Sequence, residues 1–470
     1  MEVGGMTTTE VADDRRLHRL AWVLIVGGIA PLLDTTIVNV ALDRIGRELG
    51  APVATVQWIV AGYLLAFAVA IPLSGWLVAR YGARRMWLAA LVVFLLGSIA
   101  AGLSWNVSSL IAFRVFQGLG GGLIQPLLTT LLVRAAGGRP LGTLMATVST
   151  PAVVVPILGP VLGGLIVTGL NWRWVFFVNV PIVLVAIALA ARALPRDDAA
   201  RPGTHLDLAG LALLSPALAA LMYGLSTAGT QGFGAPRTLV PLVAGTALLA
   251  GYLAYALRGR REPAIDLRLF RHRTFAGAAG LMFLAGVSMF GAMLLLPLYY
   301  QQIRGASALV AGLLLAPQGI GSLLPRRLAG RLVDRIGPRP IILAGAALTV
   351  AGTVPFARAG AHPNPVLLGA ALVVRGAGLT SVTIAVMATA FDGLGPAEVP
   401  HASSAIRIVQ QLGGSFGTAV LAAVLVHAAA GHPGTAGHAA AFGTTFWWTI
   451  GGTALALLPV LLLPSRRRPG

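Results

Sequence analysis

The 470-residue chain has no cysteine, no lysine and only 15 acidic residues. Each shortage removes a chemistry. Without lysine there is neither a Schiff base nor a phosphate-binding loop closed by Gly-Lys-Ser/Thr. Without cysteine there is neither a thiolate nucleophile nor a thiolate metal ligand. Any work done on a solute therefore draws on an ion gradient or on another chain, and no ATP, metal or other cofactor is expected here. Charge of either sign is sparse, at 10% of residues, where a soluble domain carries about 25%. Water is not the principal solvent of such a sequence.

Hydrophobic residues make up 57% of the chain, and mean hydropathy is +0.84. Long apolar runs alternate with short arginine-rich links, the pattern of helices crossing a bilayer that requires about 20 apolar residues per crossing. In lipid the backbone must satisfy its own polar groups, so the runs are read as helices. The expected fold class is an all-α polytopic membrane protein. Cutting at charged and Pro/Gly-rich links gives about fourteen spans, beginning near Leu20, Thr55, Met86, Val107, Gly142, Arg173, Asp207, Arg237, Thr274, Ala308, Arg339, Pro365, Ser403 and Phe442. Asp13 and Asp14 precede Arg15 and Arg16 without a signal-peptide cleavage pattern, so the first span is expected to stay as an anchor.

All 34 basic residues are arginine, and the formal net charge is +19. In a soluble protein that surplus suggests nucleic acid; here the arginines sit in links and report topology, and no nucleic-acid partner is expected. An even number of spans puts both termini on one side. That side collects 25 arginines: those of the two terminal segments and of the links Arg80–Arg85, Arg134–Arg139, Arg192–Arg201, Arg258–Arg273 and Arg326–Arg339. The other side has 6, at Arg44, Arg47, Arg173, Arg237, Arg304 and Arg358. The positive-inside rule assigns the rich side to the cytoplasm, giving a multi-pass protein of the inner (cytoplasmic) membrane with both termini inside. One link runs against the rule: residues 391–402 carry Asp392 and Glu398 and no arginine.

The chain repeats itself. GWLVARYGARR from Gly75 and GRLVDRIGPRP from Gly330 share Gly75/Gly330, Leu77/Leu332, Val78/Val333, Arg80/Arg335, Gly82/Gly337 and Arg84/Arg339. The copies follow spans 2 and 10, so they face the same side and imply two parallel halves.

These residues resemble the major facilitator superfamily, in particular its fourteen-span drug/proton antiporter branch. LDTTIVNVAL (Leu33–Leu42) is similar to the branch's first-span motif, and the two repeat copies to its loop motif. FRVFQGLGGG (Phe113–Gly122) is similar to its fourth-span motif. LGPVLGG (Leu158–Gly164) with NWRWVFFVNVP (Asn171–Pro181) looks like the fifth-span antiporter motif and the turn after it, and IRIVQQLGGSFGTAV (Ile406–Val420) like the thirteenth span. The resemblance implies two six-helix bundles rocking about a central site. They are an N-terminal bundle over 20–194 and a C-terminal bundle over 274–464, with two extra spans in a linker over 195–273. Residues 1–19 and 465–470 are the cytoplasmic ends. Three positions depart from the pattern. Ala79 replaces the loop-motif acid that Asp334 keeps, Asp43 stands where proline is usual, and Arg326 and Arg327 occupy a normally apolar helix end aligned with Ile71 and Pro72.

Only one carboxylate lies well inside a span. Asp34 is about eight residues before one end of span 1, and Arg114 about seven residues after the same-side end of span 4, so both lie about 10–12 Å deep at 1.5 Å per residue. Charges at that depth are costly and are paired or water-lined. Burial favours the neutral acid and a nearby guanidinium favours the carboxylate, so exchange between the two environments couples a proton to conformation. Asp34 is the expected proton carrier and Arg114 its partner; the alternative is a fixed ion pair that only holds the fold. Arg114, Gln117, Gly118, Gly121 and Gln125 share one helical face, which reads as a cavity lining or as interhelical hydrogen bonding. Arg375, about ten residues into span 12, is the candidate equivalent charge in the second half. Arg407 is expected to snorkel to the cytoplasmic surface, and Trp172 and Trp174 to lie in the interfacial belt.

Gly159, Pro160, Gly163 and Gly164 form a small-residue surface interrupted by proline, suited to sealing one bundle against the other or to simple close packing. The export direction rests on this motif through the resemblance. Gly75, Arg80, Gly82 and Arg84, with Gly330, Asp334, Arg335 and Gly337, read as turns that govern sliding of the cytoplasmic helix ends or as topology anchors. Candidate substrate contacts are Gln57, Tyr63, Gln117, Gln125, Tyr299, Tyr300, Gln301, Gln318 and Arg375. The expected function is proton-coupled antiport of lipophilic drugs or antibiotics by a monomer whose partners are the bilayer, protons and the substrate. The alternatives are a specific exporter of a lipid or metabolite, or a non-transporting membrane sensor. A membrane enzyme is disfavoured: no HExxH motif and no intramembrane acid pair is present.

Overall fold

The computed structural model describes residues 8–137, 139, 141–148, 155, 159, 162–167, 169–195, 206–258, 263, 265–306, 308–360, 364–395, 397–430 and 434–463. Among them every regular element is helical. The first group comprises α1 (Thr8–Glu48), α2 (Val53–Ala70), α3 (Leu73–Tyr81), α4 (Ala83–Gly102), α5 (Val107–Ala136), α6 (Gly142–Val148), α7 (Trp174–Phe177) and α8 (Asn179–Ala193). A pair follows, α9 (Leu208–Gln231) and α10 (Pro236–Arg258). The second group comprises α11 (Arg273–Gln302), α12 (Ala308–Leu314), α13 (Ala316–Leu323), α14 (Arg326–Ile336), α15 (Pro338–Ala357), α16 (Pro365–Thr389), α17 (Val399–Ala430), α18 (Thr435–Ala454) and α19 (Leu457–Val460).

Local chemistry sets several of these boundaries. Asn106 opens α5 with a capping box: its side chain accepts from Ser109 N at 2.8 Å, while its own N–H donates to Ser109 Oγ at 3.2 Å. Pro72 lacks the N–H that would continue α2, and α2 and α3 meet at 53°. Ten described helices are long and apolar enough to cross a membrane, or eleven with the bent α2–α3 pair counted as one. The run expected from Gly142 lies partly outside the described residues, as does Pro160. The run from Ala308 is broken into α12, α13 and α14 at Leu315 and at Leu324–Pro325.

The internal repeat is structural. Gly82 and Gly337 both have positive φ, 93° and 89°, with ψ of 154° and 171°, a conformation open essentially to glycine alone. Their N–H groups close the preceding helix on Val78 O (3.0 Å) and Val333 O (3.1 Å). Two residues later, Arg84 donates to Ala191 O at 2.6 Å and Arg339 to Val460 O at 3.1 Å and Leu461 O at 2.6 Å. Each arginine thus ties its turn to carbonyls at the end of the last helix of its own group, where a cation suits the helix dipole.

In the first group α5 packs on α2 and α4, and α8 on α1 and α4; in the second, α11 packs on α17 and α16 on α13 and α15. The groups meet at their arginine-rich ends, α14 and α16 on α6 and α17 on α3 and α5. Helix α9 pairs with α10 and leans on both α2 and α17. The belt expectation divides: Trp174 is 50% exposed, but Trp172 is fully buried and donates from Nε1 to Glu48 Oε2 at 2.9 Å. A buried indole N–H needs an acceptor, and the acid that ends α1 supplies one.

Candidate functional site

Asp34 and Arg114 meet, both with no exposed surface. Arg114 Nη1 lies 2.5 Å from Asp34 Oδ2 and 2.7 Å from Gln117 Oε1, and Nε donates to Ile59 O at 3.2 Å. The other carboxylate oxygen, Oδ1, accepts from Gln117 Nε2 and Asn179 Nδ2, each at 3.0 Å. Gln117 also donates to Ser98 Oγ at 2.8 Å. The guanidinium carbon sits 4.0 Å from the centroid of the Tyr63 ring. Helices α1, α2, α4, α5 and α8 all contribute. Asn179 and Ser98 were not singled out in the sequence; a lone amide in the apolar run after Trp174 was the available signal. Gln117 and Tyr63, expected among the substrate contacts, are instead enclosed in this network. Gln125, two turns along α5, is half-buried beside Gly28.

In the second group Arg375 is 1% exposed. It donates to Gln318 Oε1 (3.0 Å), Ser288 O (3.0 Å) and Thr353 Oγ1 (3.3 Å), all neutral acceptors. Two of the candidate substrate contacts, Arg375 and half-buried Gln318, are therefore brought together. Tyr299 and Tyr300 are packing residues here, 1% and 2% exposed, their rings stacked edge-on with each other and with Phe356; Tyr299 also meets Phe442 and Phe446. Gln57 and Gln301 are exposed. The snorkelling expectation for Arg407 is overturned. Its Nη1 bonds Gln410 Oε1 at 2.9 Å, one turn deeper, and its guanidinium lies 6.0 Å from the Phe67 ring of α2. The level below is occupied: Ser403 accepts from Thr130 at 3.3 Å and Ser404 Oγ lies 2.5 Å from Ser74 Oγ.

The loop-motif residues make the contact between the groups. Asp334 accepts from the backbone N–H of Gly142 (3.1 Å) and Thr143 (3.3 Å), the start of α6. Gly330 crosses the same backbone so closely that a Cβ would lie 2.8 Å from Gly142 O. Arg326 is buried and donates from Nε to Ala146 O at 3.0 Å, so a charge at a normally apolar helix end is used across the seam. On the other side Ala79 has no carboxylate to offer, and Gly75 packs on the His401 ring instead, a Cβ there falling 3.0 Å from Nδ1. Arg80 is half-buried and Arg335 exposed. Gly159 lies against Thr36 and Gly163 against Val40 and Ile37 of α1, while Gly164 has open space before it.

The Major Facilitator Superfamily model matches residues 24–418, most of the chain. The chain belongs to the major facilitator superfamily. A multidrug resistance protein B homolog of Mycobacterium tuberculosis is 37% identical over 417 residues, 88% of this chain and 77% of that protein. A tetracenomycin C resistance and export protein of Streptomyces glaucescens is 33% identical over 85% of this chain and 74% of its own length. A cephamycin export protein of Amycolatopsis lactamdurans is 35% identical over 86% and 84%. The solved proton:xylose symporter XylE matches with TM-score 0.67 at 16% identity over 95% of each chain, which shows the fold. As a major facilitator, this chain is a multi-pass membrane transporter of small molecules, not an enzyme.

Proposed function

We propose that this transporter is a proton-coupled antiporter that exports lipophilic small molecules by alternating access, with Asp34 as the proton carrier. The observation that carries the reading is the Asp34–Arg114 pair, sealed in a network drawn from five helices, with Asp34 the only carboxylate deep in a span. The amides beside it serve either protonation state. Their NH2 groups donate to the carboxylate, and after a half-turn their carbonyls accept from the acid. Arg114 only donates, so a proton on Asp34 leaves a buried cation without its counter-charge. Stranding one member of a buried pair costs about 3–5 kcal/mol, close to the roughly 5.5 kcal/mol that reverses a 1:99 population. Protonation is thus large enough to drive the rearrangement.

The remaining parts of the reading follow the arginine pattern and the repeat. Fourteen spans put both termini in the cytoplasm of the inner membrane, bundles of six spans occupy 20–194 and 274–464, and α9 and α10 are inserted between them. With the arginine-rich ends inside, the closed seam at α6, α14 and α17 corresponds to an outward-facing state. Export of drugs or antibiotics is favoured by the named activities of the relatives. The protein acts as a monomer powered by the proton gradient.

The test uses purified protein in proteoliposomes under an imposed pH gradient, with a panel of lipophilic substrates. Wild type is expected to move substrate against the proton flow, and Asp34→Asn to lose that coupling while still reaching the membrane. Gradient-driven accumulation by Asp34→Asn would sink the carrier role.

A further inference from the structure

The interior charge does not balance. Arg114 is neutralised by Asp34, but Arg375 and Arg407 are held by amide, hydroxyl and carbonyl oxygens alone among the described contacts. No other acid lies deep in a span to answer them. A desolvated cation held by neutral acceptors is costly in a membrane, so two of them bias the interior toward an incoming negative charge.

Arg407 is the reachable one. It is half-buried where Arg375 is sealed, and its Nε is buried without an acceptor. It stands one turn along α17 from Ser403 and Ser404, which bond Thr130 and Ser74 of the first group, so it lies just beyond the contact between the groups. The aromatic ring of Phe67 lies beside it. The two cations are also near neighbours through α11: Ser288 O accepts from Arg375, and Gly286, two residues earlier, packs on the backbone of Gln410, which holds Arg407.

We infer that the transported molecules are organic anions: an aromatic or otherwise apolar body bearing a carboxylate or similar acid, whose charge is met by the Arg407 guanidinium and whose body lies on Phe67. A guanidinium presents a planar fork matched to a carboxylate, and the free Nε edge is a donor such a group uses. This rests on the transporter reading but not on proton coupling.

The test is equilibrium binding to the full chain in nanodiscs, with empty nanodiscs subtracted, of three probes of matched size: 2-naphthoate, 2-naphthamide and 2-naphthylmethylamine. Naphthoate is expected to bind at least about tenfold more tightly than the amide, the scale of one hydrogen-bonded charge, with the amine weakest. Arg407→Gln should bring naphthoate and amide within about twofold. Equal binding of the three, tighter binding of the amine, or an undiminished preference in Arg407→Gln would overturn the inference. If Arg407→Gln does not accumulate, Arg407→Lys decides: it keeps the charge without the fork, so a reduced preference supports the assignment and an unchanged one overturns it. Binding needs no gradient. Naphthoate preference without coupled flux would therefore defeat the antiport reading alone, and coupled flux without the preference would defeat this one alone.

Discussion

At the scale of single residues, the protein concentrates its polar chemistry where water is absent. Arg114 and Asp34 are worth less as a pair than either costs when alone, because the burial penalty falls on whichever charge is left. Arg114→Ala is accordingly expected to destabilise by about 3–5 kcal/mol, and the double variant Asp34→Asn/Arg114→Gln by clearly less. Thermal unfolding in detergent reads both, with Asp34→Asn and Arg114→Gln alone completing the cycle; a double loss equal to the sum of these two single losses would mean the pair is not coupled. Asp34 and Arg114 were legible because a charge interrupts an apolar run conspicuously, and matched depth suggested that they meet. Asn179 and Ser98 were not, because a small neutral polar residue in a span is unremarkable until the neighbouring helix is in place. Arg407 failed for a related reason. Counting from an expected start at Ser403 puts it one turn into the span, but α17 begins at Val399. Nor does counting reveal that Ser403 and Ser404 bond the first group at the level between Arg407 and the helix start.

At the scale of elements, two turns 255 positions apart repeat one design, as Gly82/Gly337 and Arg84/Arg339 show. Alanine at Gly82 or Gly337 forces a side chain into backbone space that only glycine occupies, at about 1–3 kcal/mol each. The sites are in separate groups, so the two losses should add in the double variant. A cooperative loss in the thermal transition would show that the turns act as one unit. The repeat was readable as matched letters; the bend at Pro72 and the breaks at Leu315 and Leu324–Pro325 were not, because they interrupt runs that hydropathy treats as continuous.

At the scale of the whole molecule, closure of the arginine-rich end is lopsided. Asp334 grips the start of α6, while Ala79 leaves the related side to the contacts of Ser74 and Gly75 with α17. Because the chain has no native cysteine, Ser74→Cys/Ser404→Cys reports closure directly through the rate of disulfide formation. Adding Asp334→Asn should slow that rate by about fivefold, the worth of roughly 1 kcal/mol in long hydrogen bonds. An unchanged rate would remove Asp334 from the closing mechanism.

Helix α9 touches both groups, yet unequally. On α2 it is fastened: Trp58 stacks on Tyr223 at 5.8 Å, and Ser215 donates to Val69 O at 3.3 Å. On α17 it offers Ala228 and Gly229 to Ala419 and Ala422, a nearly featureless strip. Fastened on one edge and smooth on the other, α9 is hung like a door seal, built to travel with the first group if the two groups rock as proposed. In the alternating-access cycle proposed above, that attachment would keep this flank closed to lipid and leave the opposite flank as the sideways route for a solute.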